Sequence, residues 1–180
     1  LLAVLVAAMG GLSAIAQTPP PIPSVVLERI AALNQTCRAQ GGKPSDKKFI
    51  FAQDFTGDGQ LDYLLSEGDY GCMNRPNAFR RDGNARIEVY ATSAPGQASL
   101  AYADTLRAYR LMEGSPVVIQ VAKAGAACGA GKPASEVCGG DLAWRPASGR
   151  FELVPLGSAR TAAAAAPATP MAGAPRTAKV

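Results

Sequence analysis

Between Gln53 and Tyr63 the chain reads Asp54-Phe-Thr-Gly-Asp-Gly-Gln-Leu-Asp62, with oxygen-bearing side chains at alternate positions, glycine at the bend and an acid closing the run. Short apolar runs flank it, Lys48-Phe-Ile-Phe-Ala-Gln53 and Tyr63-Leu-Leu-Ser66, and both read as strands. The segment therefore sets a strand-loop-strand unit in the first half of the chain. Calcium takes six to eight oxygen ligands, and a short acidic loop bent at glycine supplies several of them from one segment. Asp54, Thr56, Asp58, the carbonyl of Gln60 and Asp62 are the candidate ligands. The spacing matches an EF-hand loop until its twelfth position, where Leu65 stands in place of the bidentate Glu. A second reading of the same residues is an Asx-rich turn whose carboxylates bond neighbouring main-chain amides. Three acids converging without a cation would repel one another, which favours the metal.

The remaining pattern gives the elements around this loop. Ser24 is a candidate N-cap, and Val26, Ile30, Leu33 and Cys37 fall on one helical face before Gly41-Gly42 ends the helix. Arg86–Ala91 alternates as a half-buried strand, and Pro116–Ala122 carries a β-branched run. Leu100–Leu111 suits either a short helix or a strand. Asp141–Arg145 and Arg150–Val154 form a hairpin, with Trp144 and Phe151 as its anchors. The expected fold is α+β: one N-terminal helix packed on a mostly antiparallel β-sheet.

Residues 1–16 are uncharged and end in Ala14-Ile15-Ala16, which reads as the apolar core and cleavage site of a secretory signal peptide. Residues 17–23 form a Pro-rich spacer, 24–156 a single domain, and 157–180 an Ala/Pro-rich tail expected to be disordered. In an exported chain, four cysteines imply two disulfides, with three pairings open from the count alone. The absence of histidine removes Ser-His-Asp and Cys-His nucleophile systems. A net charge of +4, spread along the chain, does not form the dense basic face expected of a nucleic-acid binder.

The loop resembles the calcium loops of FG-GAP and VCBS repeats, with Thr56 where those carry Asn or Asp. Such repeats build propellers in series, whereas this chain holds one copy and no repeat period. The order Cys37, Gly41-Gly42, Asp54–Asp62, Cys72, Cys128-Gly129, Cys138 and Trp144 resembles that of small exported bacterial proteins of unassigned function. That resemblance, with local spacing, implies Cys37–Cys72 and Cys128–Cys138 as the disulfides. The first functional expectation is a non-catalytic exported domain, held by a single structural Ca2+ and the disulfides, acting in the periplasm or envelope as a binding or scaffolding module. The expected partner is an envelope protein or glycan, with no nucleic acid and no transmembrane anchor after cleavage. One alternative is a carboxylate-dependent hydrolase using Glu67, Asp69 and Asp82. Another is an envelope inhibitor or interaction protein that presents the Phe79-Arg-Arg-Asp82 turn or the Cys128–Cys138 loop.

Overall fold

The computed structural model describes residues 21–159; the expected signal segment 1–16 and most of the expected tail lie outside them. The chain begins with α1 (Ser24–Ala39) and continues through β1 (Lys43–Pro44), β2 (Ile50–Gln53), β3 (Asp62–Ser66) and β4 (Cys72–Met73). There follow β5 (Arg80–Arg81), β6 (Asn84–Ala94), β7 (Gln97–Leu106), β8 (Ala108–Met112), β9 (Val118–Ala124), β10 (Val137–Arg145) and β11 (Arg150–Val154). The strand pairs are antiparallel. A first sheet has the order β2-β3-β6-β5, with β7 also paired to β6, and a second runs β11-β10-β9-β8. The α+β class and the helix-on-sheet packing are as expected, with the strands divided between two main sheets and a small β1-β4 ribbon.

The division follows from side-chain parity in β3 and β6. Successive strand residues point to opposite faces. Tyr63, Leu65 and Tyr90 pack with Val26 of α1, while Leu64, Ile87 and Val89 pack with Ile119, Val121, Leu142 and Phe151 of the second sheet. All five residues of β3 are buried, because a strand covered on both faces needs no polar side. The result is three layers: helix, first sheet, second sheet.

The helix is pinned at both ends and at its middle. Val26, Leu33 and Cys37 are buried, as their spacing predicts. Ser24 does not cap the helix: the N-cap is Pro23, without a side-chain cap bond, and Ser24 is already the first helical residue. At the other end Gly41 takes φ +77°, and the N–H groups of Gly41 and Gly42 donate to the carbonyls of Arg38 and Cys37 at 2.9 Å each. This is a Schellman stop, which needs a left-handed residue at Gly41. A Cβ on Gly42 would overlap the Cys72 sulfur and lie 3.0 Å from Cys37 Sγ, so glycine lets the chain turn against the Cys37–Cys72 disulfide. At mid-helix Arg29 donates from Nε to Glu88 at 2.6 Å and also pairs with Glu67, tying α1 to β6 and to the residue after β3.

Leu100–Leu111, readable as helix or strand, belongs to β7 and β8. The Trp144–Phe151 pair sits in register in the β10–β11 hairpin, with ring centroids 5.0 Å apart. The second disulfide, Cys128–Cys138, closes the loop between β9 and β10. Packing continues past Leu156, the expected end of the domain. Gly157 N–H donates to Asp141 Oδ2 at 2.7 Å, and Ala159 is buried against Val118 and Ala143. Asp141 is fully buried, so its oxygens need donors, and the chain after β11 supplies one.

Candidate functional site

The acidic segment lies where its sequence places it, as the loop joining the paired strands β2 and β3. Gly57 and Gly59 adopt φ +86° and +82°, the left-handed conformation that glycine takes without strain. Each predicted ligand has a defined position. Asp54 accepts the Gly57 N–H on Oδ1 at 2.6 Å and the Gly59 N–H on Oδ2 at 3.0 Å. Asp58 accepts the main-chain and side-chain amides of Gln60 at 2.8 and 3.1 Å. Asp62, the first residue of β3, is fully buried and accepts three N–H groups. Phe55 and Thr56 donate to its Oδ2 at 2.9 and 3.0 Å, and Thr92 of β6 donates to its Oδ1 at 2.8 Å.

These bonds make the loop a folded unit fastened to both sheets. Thr92 Oγ1 donates to the Leu61 carbonyl at 2.6 Å, and Val117 N–H, just before β9, donates to the Asp54 carbonyl at 2.9 Å. Burial pushes the Asp62 carboxyl above its ordinary range, against the pull of the Thr92, Phe55 and Thr56 amides. No Lys or Arg pairs with it among the described residues.

The Thr56 hydroxyl differs from these groups. Its Oγ1 is buried and forms no well-shaped hydrogen bond, although it lies near enough to the Asp62 carboxylate to favour its charged form. A buried hydroxyl without a partner costs about 1–3 kcal/mol.

The donor set suits a hard cation: three carboxylates, a hydroxyl and a main-chain carbonyl. A carboxylate offers about four lone-pair sites, and the amides use two on Asp54, two on Asp58 and three on Asp62, leaving each at least one. The side chains are nonetheless turned to amides, as in the Asx-turn reading. Among the described residues no three Asp, Glu or Cys side chains converge into a metal-holding group.

The acids considered for hydrolysis do not form one constellation of carboxylates. Glu67 pairs with Arg29, and Asp69 Oδ2 accepts the Tyr109 hydroxyl at 2.6 Å. Asp82 sits in a turn at φ +50° and uses its main-chain carbonyl to hold Arg107 at 3.0 Å. The acid pair that the fold does bring together is Glu67 with Glu88, which share Arg29. Burial raises the Glu67 carboxyl, helped by the nearby Glu88 charge and resisted by Arg29. Glu88 is held below the ordinary range, because hydrogen bonds from Arg86 and Arg29 outweigh its burial. Alternation in Arg86-Ile-Glu-Val-Tyr contains Glu88, but nothing local signals that a helix arginine will reach it.

The interaction turn is also more inward than its composition suggests. Phe79 packs edge-on against Tyr70 with centroids 5.0 Å apart, and Arg80 donates to the Gly68 carbonyl. Arg81 and Asp82 remain exposed.

No protein-family model, curated protein or solved structure matches this chain. Among the described residues no helix is long and apolar enough to cross a membrane.

Proposed function

We propose that this chain is an exported, non-catalytic module that works in the periplasm or envelope by binding or scaffolding, its fold held by two disulfides and one structural Ca2+. The ion would be held by Asp54, Thr56, Asp58, the Gln60 carbonyl and Asp62. The observation that supports the metal best is Thr56 Oγ1, a buried loop oxygen whose neighbour is the Asp62 carboxylate, which is itself buried and has no cationic partner among the described residues. A cation would complete the first and offset the burial cost of the second. A neutral Thr in place of a third-position acid lowers the ligand charge, which places the affinity between roughly tens of micromolar and millimolar, an extracellular-grade site. The role we assign the ion is structural, since its candidate ligands all lie in the one loop that joins β2 and β3.

Export is supported by the two disulfides, which persist in oxidising compartments. Calcium titration by calorimetry and thermal melting tests the metal. At about a hundred times Kd the ion adds roughly 2.7 kcal/mol to stability, and Asp58→Asn weakens both heat and thermal shift. No heat and no rise in melting temperature at millimolar calcium would overturn the metal. Recovery of the full-length product in the cytosol with its thiols reduced would overturn export.

A further inference from the structure

A cleft of about 460 Å3 opens between β2, β5 and β8, away from the acidic loop. One wall is aromatic: Phe51 and Tyr109 meet edge-on with centroids 6.0 Å apart, and Leu111 continues it. Three arginines, Arg80, Arg107 and Arg110, also line the cleft. Arg80 donates Nε and Nη2 to the Gly68 carbonyl at 3.2 and 2.9 Å and Nη1 to the Gly83 carbonyl at 3.4 Å. Arg107, at the crossover from β7 to β8, donates Nη1 to the Asp82 carbonyl at 3.0 Å and lies so close over Gly83 that a Cβ there would not fit.

Arg80 is thus fastened mainly to the Gly68 carbonyl and Arg107 to the Asp82 carbonyl, with the longer Arg80 contact to Gly83 bringing both to the Asp82-Gly83 turn. Their hydrogen bonds go to neutral main-chain oxygens, and neither forms an ion pair with a carboxylate among the described residues. An oxyanion seated in the cleft would give these guanidiniums a charge-assisted partner, where their present acceptors are neutral carbonyls. Among the described residues Asp69 is the one carboxylate lining the cleft. It accepts from Tyr109, whose hydroxyl is pushed up by burial and by this bond and so stays a donor. The free lone pairs of Asp69 can accept hydroxyl donors.

The combination selects a ligand class. Guanidiniums suit a planar carboxylate or a phosphate, an acidic acceptor suits hydroxyls, and aromatic rings suit an apolar C–H face. A volume of this size suits a small molecule. The geometry points to an acidic sugar as the ligand of this cleft, its carboxylate or phosphate held by Arg80 and Arg107 and its ring against Phe51 and Tyr109. This names a ligand class for the binding role proposed above and rests on that role, but it uses no residue of the calcium loop.

The test is calorimetric titration of the folded protein at low salt with glucuronate, glucose 6-phosphate, glucose and inorganic phosphate, each in calcium and in chelator. The expected result is saturable binding of at least one acidic sugar, with no binding of glucose. Inorganic phosphate should bind at least about tenfold more weakly than glucose 6-phosphate if the phosphate is the recognised group. The uronate and phosphate arms assign the acid. Arg107→Gln should weaken binding about tenfold with the melting temperature kept, and Arg107→Lys should recover part of it. Absence of saturable binding by both acidic sugars at millimolar concentration overturns the proposal. So does glucose binding as well as they do, phosphate matching the sugar phosphate where that is the ligand bound, or wild-type affinity in Arg107→Gln. A sugar result identical in calcium and chelator keeps this outcome separate from the fate of the metal site.

Discussion

Glu88→Gln is the substitution that best tests how the helix is held on the sheet. Glu88 is 4 % exposed and accepts Arg29 Nε at 2.6 Å, Arg86 Nε at 2.7 Å and the Tyr90 hydroxyl at 3.1 Å. Glutamine keeps the shape but turns one acceptor oxygen into a donor that must face another donor, and it removes the charge that two arginines share. Breaking a buried ion pair from one side costs about 3–5 kcal/mol. The low end applies here, because Arg29 keeps Glu67 and the Arg86 side chain is 43 % exposed and can hydrate. We expect a loss of about 3 kcal/mol, or roughly 10 °C in melting temperature for a domain of this size. Thermal and urea unfolding near neutral pH measure it.

The pH dependence supplies an independent check. The folded-state carboxyl of Glu88 lies below its unfolded value of 4.5. Its contribution is therefore present above that value and is lost as pH falls through the folded one. The gap between wild type and Glu88→Gln should be full near neutrality and close in acid. Glu67 runs the other way, since its folded carboxyl is raised: its contribution is present below the unfolded value and lost as pH rises through the folded one. A stability loss under about 1 kcal/mol, or a gap that widens in acid, would refute the view that Glu88 is an ionised latch.

Two further predictions concern the crosslinks. Replacing both cysteines of the Cys128–Cys138 pair, separated by 10 residues, should cost about 2.7 kcal/mol by loop entropy, measured by denaturant unfolding without reductant. The Cys37–Cys72 pair, separated by 35, should cost about 3.8 kcal/mol, so equal or reversed costs would speak against the entropic account. Gly42→Ala should destabilise by about 1–3 kcal/mol, because its methyl meets the Cys72 and Cys37 sulfurs. That penalty should shrink when both of those cysteines are alanine, and a double-mutant cycle reads the coupling.

Local pattern already carried much of this protein. The helical face of Val26, Leu33 and Cys37, the double-glycine stop, the β2–β3 hairpin with its glycine-bent loop and the Trp144–Phe151 pairing each depend on residues close in sequence, whose spacing fixes the periodicity or the turn. The class of fold followed from those elements, and both cysteine pairs implied by resemblance are the ones present. Ser24 as a cap failed because Pro23 already occupies that position. Leu100–Leu111 stayed open because short apolar runs fit either period, and pairing with β6 and β9 settled it as strand.

Tertiary structure decided where the charges go. Asp62 and Thr92 are separated by 30 residues, Arg29 and Glu88 by 59, and Arg107 reaches across 25 to the Asp82 carbonyl. Such contacts depend on how layers stack and in which register strands pair. Sequence spacing encodes neither directly, because a side chain's distant partner is chosen by the packing of everything between them.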